Sequence, residues 1–73
     1  MSDKPEFNYS KLRGKIVEKY GTIKAVSEKT GIRSELFTDA FKGRRTFTQA
    51  EIYVLSEALD ISKEDIAAYF FEI

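Results

Sequence analysis

Residues 23–43, IKAVSEKTGIRSELFTDAFKG, give the clearest indication of the fold. This stretch holds two short segments with apolar residues at helical spacing, which meet at Gly31, and Gly43 closes the second segment. The apolar positions that would pack where the two helices cross are Ile23, Val26, Ile32, Phe37, Ala40 and Phe41. Two helices that cross at a tight, glycine-containing corner form a helix-turn-helix, in which the second helix normally enters the major groove of DNA. The stretch therefore predicts this motif.

Capping residues and apolar periodicity predict three more helices around it, without a competing strand pattern. The predicted elements are helix 1 from about Tyr9 to Tyr20 after Asn8, helix 2 from Ile23 to Thr30 after Thr22, helix 3 from near Ser34 to before Gly43, helix 4 opened by Thr48 with Glu51 as a capping box, and a short last helix after Ser62. The predicted fold is all-α, a five-helix bundle with a helix-turn-helix. We expect a flexible N-terminal tail over residues 1–7 and one domain over residues 8–73.

The C-terminal aromatic run of Tyr69, Phe70 and Phe71 has two interpretations. Three consecutive aromatic residues cannot all face one way on a helix, so one or two should be exposed or should pack on a partner. A chain of 73 residues has a small core. Closure of that core against helix 1 is therefore favoured over an oligomer contact.

The composition excludes several classes of protein. The chain has no cysteine and no histidine, so disulfides, thiolate metal sites and the usual proton shuttle and zinc ligand are missing. No apolar run approaches the roughly 20 residues that a membrane span needs. We expect a soluble cytoplasmic protein that is not an enzyme and has no catalytic residues, metal, cofactor, small-molecule substrate or membrane partner.

The formal net charge is zero, but the charges are unevenly distributed. Residues 11–45 hold ten basic and four acidic groups, giving +6, whereas residues 46–73 hold one basic and six acidic groups, giving −5. This asymmetry suggests contact with a polyanion or with a complementary protein, and a mixed solvated surface is the alternative. Helix 1 also carries a basic stripe formed by Lys11, Lys15 and Lys19. This stripe either contacts phosphates or is the solvent-exposed side of an amphipathic helix.

Three stretches carry a resemblance to a known family: FNYSKLRGKIVEKYGTIKAVSEKTGI, FTQAEI and EDIAAYFFEI. Together they resemble the Cro and repressor family of temperate phages. The similarity is greatest to the small Cro-type regulators and antirepressors, or modulators of repression, of phages of Gram-positive bacteria. The resemblance implies a lambda-repressor-like five-helix fold and a role in transcription regulation at a lysis–lysogeny switch, in the bacterial host cytoplasm.

The resemblance also implies which residues face a partner. The groove-facing positions of helix 3 match Arg33, Ser34, Glu35, Thr38, Asp39 and Lys42. Arg44 and Arg45 follow as candidate phosphate contacts, and Leu36 should be half-exposed. The first residue of helix 2 is commonly glutamine in this family, but it is Ile23 here; the small residue inside the turn is commonly alanine, but it is Ser27 here.

The predicted reading face conflicts with DNA binding because it is acidic. Glu35 and Asp39 lie one helical turn apart, and phosphates repel such a pair of carboxylates. Glu35 could instead stabilise the positive N-terminal end of helix 3. The leading hypothesis is that the acidic face binds the phage repressor protein and blocks or alters its operator binding. The alternative is a Cro-like regulator that binds operator DNA directly through helix 3, and operator DNA could also be bound in addition to the repressor.

Overall fold

Residues 7–71 are described by a computed structural model. They form helices α1 (Ser10–Tyr20), α2 (Ile23–Thr30), α3 (Ser34–Phe41), α4 (Gln49–Leu59) and α5 (Ile66–Phe70), with a 3₁₀ turn (Lys63–Asp65) between α4 and α5. No strand occurs within residues 7–71, so the predicted all-helical chain with five helices is confirmed. Of the helices described, none has the length and apolar character needed to cross a membrane.

Two of the predicted helix caps form as expected. The Thr22 hydroxyl accepts a hydrogen bond from the Ala25 N–H at 3.1 Å and begins α2. Thr48 and Glu51 form a complete capping box, in which each side chain accepts from the other's backbone N–H, at 3.2 Å and 2.8 Å. Such caps satisfy amide groups that have no partner in the first turn of a helix.

Two other caps differ from the prediction. Helix α1 begins at Ser10, one residue later than predicted, because the Asn8 side chain accepts from the Ser10 N–H at 2.9 Å. Ser62 does not cap an α-helix. Its hydroxyl donates to the Asp65 carboxylate at 3.0 Å, and the Asp65 N–H donates to the Ser62 carbonyl at 3.0 Å, which closes a 3₁₀ turn.

The corner between α2 and α3 is held by backbone and hydroxyl hydrogen bonds. Gly31 has φ 79° and ψ 2°, the left-handed conformation that glycine adopts without strain, and its N–H donates to the Ser27 carbonyl at 2.9 Å. The Ser27 hydroxyl donates to the Ile32 carbonyl at 2.5 Å. The Ser27 side chain thus adds a hydrogen bond across the corner.

An aromatic cluster centred on Phe47 fills much of the core. The Phe47 ring lies 5.2 Å from Tyr9, 5.8 Å from Phe37 and 5.9 Å from Phe70, measured between ring centroids. Phe70 is buried, and α5 packs on α1. Together with the aromatic rings, the buried hydrophobic residues are Leu12, Ile16, Val26, Ile32, Ala40, Leu55, Leu59 and Ile61.

The remaining C-terminal aromatics lie outside this cluster. Tyr69 is half-buried, and Phe71 is 49% exposed, with its ring edge-on to Phe7 at 5.5 Å. Phe70 thus takes the core position that the aromatic run predicted for one of its members. Phe7, which was placed in the predicted tail, packs against the core, whereas residues 1–6 of that tail lie outside the described residues.

Candidate interaction surface on α3

The solvent-facing side of α3 carries most of the residues that the sequence selected. Ser34, Glu35, Thr38 and Lys42 are exposed, as is Arg33, the N-cap residue of the helix. Leu36 and Asp39 are half-buried, and Leu36 packs against the core. The solvent-facing side of α3 and its two ends therefore display five of the predicted residues, whereas Leu36 is half-exposed, as expected, and contacts the core.

Glu35 lies in the first turn of α3, where its charge is favourable to the helix. Unpaired N–H groups at this end give it a partial positive charge, and a carboxylate there stabilises a helix by roughly 0.3–1 kcal/mol. Within residues 7–71, Glu35 has no ion-pair partner. Its charge thus supports the helix and also remains available to a partner.

Asp39 differs from Glu35 because Arg44 lies next to it. Their side chains form an ion pair with 3.7 Å between Arg44 Nη1 and Asp39 Oδ1, and the Arg44 N–H donates to the Asp39 carbonyl at 2.8 Å. Both side chains are partly exposed, and exposed pairs of this kind contribute about 0–1 kcal/mol. Of the two carboxylates on α3, Asp39 is therefore paired with Arg44, whereas Glu35 is not. The Asp39–Arg44 pair can separate at little cost in free energy.

Arg45 is held in a different environment from its neighbour. Its guanidinium donates to both carboxylate oxygens of Glu51, at 2.9 Å and 3.3 Å, and both side chains are largely buried. Burial alone would raise the pKa of Glu51, but hydrogen bonds from the Thr48 backbone and from Arg45 outweigh it and lower that pKa below its ordinary value. Arg45 therefore braces the α3–α4 loop against the start of α4.

Two lysines of the basic stripe on α1 also have partners within the fold. Lys19 forms an ion pair with Asp60, and its hydrogen bond lowers the pKa of the Asp60 carboxyl. The Lys11 ammonium lies 5.6 Å from the centroid of the Tyr69 ring, a cation–π distance. These contacts favour the interpretation of the stripe as a solvated helix side that meets the C-terminal segment.

A groove beside α3 is lined by residues whose proximity the sequence pattern does not predict. It has a volume of about 180 Å³ and is lined by one residue of α1, one of α2 and three from α3 and its C-cap, namely Arg13, Ile23, Thr38, Phe41 and Lys42. Ile23 and Phe41 are half-buried, whereas Arg13 and Lys42 are exposed. We call this the α1–α3 groove. Arg13 is the member that no sequence signal selected.

A second apolar surface lies on α4, around Tyr53. This side chain is 67% exposed and lines two grooves, of about 410 Å³ and 310 Å³, together with Glu57. The charged residues along the two grooves are Glu57, Asp60, Lys29 and Lys63. Because two are acidic and two are basic, this surface offers no net charge to select a partner.

The fold and these surfaces define a small all-helical protein whose candidate site is an exposed helix side of mixed charge. The chain belongs to the family described as "Protein of unknown function (DUF739)", whose sequence profile matches residues 6–73. A comparison with curated proteins found no match. The family description states no activity.

Proposed function

We propose that this protein is an antirepressor-type regulator of a phage lysis–lysogeny switch. In this proposal α2 and α3 form a helix-turn-helix scaffold whose α3 side binds the phage repressor and blocks or alters its operator binding. The resemblance of the sequence to phage Cro-type regulators and antirepressors supports the phage context. The observation that carries the mechanism is Glu35, an exposed carboxylate on α3 without an ion-pair partner within residues 7–71.

The corner between the two helices supports the scaffold part of the proposal. Gly31 turns the chain between α2 and α3, and the Ser27 hydroxyl ties the first helix to Ile32 at the end of the turn. Phe37 and Ala40 are buried on the core side of α3, so the opposite side is displayed on a firmly packed helix. A surface held in this way loses little conformational entropy when a partner binds.

Electrostatics favours a basic protein as the partner. A repressor that reads DNA must present a positive surface to phosphates, and an acidic side chain can occupy that surface in their place. Glu35 is available at once, and Asp39 becomes available when Arg44 moves away. Complementary charge of this kind increases the rate and specificity of association more than the final affinity.

Direct operator binding is the second candidate, and exposed cations favour it. Arg33, Lys42 and Arg44 are exposed around the two ends of α3, where they could contact phosphates. This function predicts that the logarithm of the affinity falls linearly with the logarithm of salt concentration. It also predicts that Arg33→Ala abolishes or strongly weakens DNA binding.

Repressor displacement tests the leading proposal. A fluorescently labelled operator duplex is saturated with the phage repressor, and this protein is then titrated in while anisotropy is followed. We expect the wild type to change the anisotropy saturably and Glu35→Lys to need at least tenfold more protein. Glu57→Lys is the matched control, since it makes the same charge change at an exposed position of α4.

The control variant also locates the surface. If Glu57→Lys weakens displacement and Glu35→Lys does not, the repressor binds the α4 surface and the α3 mechanism is wrong. If neither substitution changes the titration, the acidic mechanism is wrong altogether. Circular dichroism melting of both variants checks that they are folded at the assay temperature, because Glu35→Lys also removes a favourable charge from the first turn of α3.

A further inference from the structure

The α1–α3 groove combines two cations with an apolar lining. Arg13 and Lys42 are exposed and have no ion-pair partner within residues 7–71, while Ile23 and Phe41 present half-buried apolar side chains. The groove has a volume of about 180 Å³ and is open to solvent. Its chemistry therefore fits a ligand that is apolar in one part and anionic in another.

The apolar lining argues for protein as the ligand. The side chains of Ile23 and Phe41 have no group that could form a hydrogen bond to a phosphate or a base. Covering the exposed parts of these two side chains removes apolar surface from water, which favours binding. A DNA backbone would leave this apolar contribution largely unused, because its phosphates need only the two cations.

We infer that the α1–α3 groove receives an apolar side chain flanked by a carboxylate, supplied by a protein partner. Ile23 and Phe41 pack against the apolar side chain, and Arg13 and Lys42 attract the neighbouring carboxylate. This inference rests on the proposed function insofar as it assigns the groove to the same protein-binding side. It adds the chemistry of the partner segment that the acidic residues of α3 do not specify.

The groove also fixes how the partner docks. Glu35 and Lys42 are seven residues apart, which corresponds to about 10 Å along a helix at 1.5 Å per residue. A partner that satisfies both must present a cation opposite the first turn of α3 and a carboxylate opposite its end. Since like charges repel in the reversed arrangement, the two contacts together select one orientation.

The inference is tested with short peptides and the isotopically labelled full-length chain. The probe is acetyl-Asp-Leu-Phe-Glu-amide, and the control is acetyl-Lys-Leu-Phe-Lys-amide, which keeps the apolar residues and reverses the charge. We expect the acidic peptide to shift the backbone NMR signals of Ile23, Thr38 and Phe41 saturably at millimolar concentration, and the basic peptide to leave them unchanged. The Arg13→Glu, Lys42→Glu double variant should reverse this preference.

Three outcomes would overturn the inference. Equal shifts with both peptides would show an apolar groove without charge selection, and no shifts up to millimolar peptide would show that the groove does not bind such a segment. Shifts that appear only with a DNA duplex, and that fade steeply with salt, would assign the two cations to phosphates. Ile23→Gln is a second check, because it should remove the response to the acidic peptide while thermal melting shows the chain still folded.

The peptide result and the displacement result are separable. A protein that binds the acidic peptide in this groove but does not displace the repressor would retain the groove and refute the proposed function. A protein that displaces the repressor but does not bind the peptide would retain the proposed function and refute the groove.

Discussion

Glu51→Gln removes one negative charge from the network that joins the α3–α4 loop to the start of α4. The carboxylate accepts hydrogen bonds from the Arg45 guanidinium at 2.9 Å and 3.3 Å and from the Thr48 N–H at 2.8 Å. A hydrogen bond to a charged group contributes about 1.5–3 kcal/mol and a neutral one about 0.5–1.5 kcal/mol. Two short bonds therefore predict a loss of about 2 kcal/mol in the free energy of unfolding at pH 7.

This loss is measurable and depends on pH in a defined direction. Because the folded-state pKa of Glu51 lies below its ordinary value of 4.5, the carboxylate stabilises the fold fully above that value, and the stabilisation is lost as pH falls through the folded-state pKa. The difference between wild type and Glu51→Gln should therefore shrink as pH falls from about 5 through the folded-state pKa. Urea unfolding at pH 7, 5 and 3 gives the three differences.

A control on the same helix separates this network from a general effect of charge. Glu57 is exposed on α4, and Glu57→Gln should change the unfolding free energy by no more than about 0.5 kcal/mol. A Glu51→Gln protein as stable as the wild type at pH 7 would refute the argument. A difference that stays constant from pH 7 to pH 3 would also refute it, since the charge of Glu51 would then be irrelevant.

Four other substitutions test the fold and the division of roles between the two loop arginines. Arg45→Ala should lower the unfolding free energy by about 2 kcal/mol, whereas Arg44→Ala should lower it by less than about 1 kcal/mol, as urea titrations of both will show. Gly31→Ala places a side chain at φ 79° and should cost about 1–2 kcal/mol in the same assay, although its Cβ meets no neighbour. Phe37→Ala empties a fully buried position and should cost about 3–5 kcal/mol, seen as loss of the cooperative thermal transition at physiological temperature.

The features predicted correctly from the sequence depend on residues close together in the chain. The hydroxyls of Thr22 and Thr48 each accept a hydrogen bond from an N–H three residues later, and the N–H of Gly31 donates to Ser27, four residues earlier. Because the partners are so close in the sequence, the local pattern is enough to predict where these helices begin and end. Ser62 departs from this rule, because its hydroxyl can donate to Asp65 or accept from the backbone and the pattern alone does not decide between them.

The ion pairs of the candidate site were harder to predict, because they depend on how the helices and loops pack together. Arg44 and Arg45 are adjacent in the sequence, yet one pairs with Asp39 on the surface and the other is buried against Glu51. The capping box did place Glu51 at the start of α4, but its pairing with Arg45 depends on how the α3–α4 loop packs. No comparable signal exists for Arg13, which reaches the groove only because α1 packs beside α2.

We propose that the α3 side binds the repressor protein and does not itself read DNA. This is tested by titrating the protein alone into a fluorescently labelled duplex of the phage switch region, at a low and a high salt concentration. We predict no saturable binding at micromolar protein at either salt concentration. Saturable binding that weakens steeply with salt and is lost in Arg33→Ala would contradict the claim and establish operator recognition.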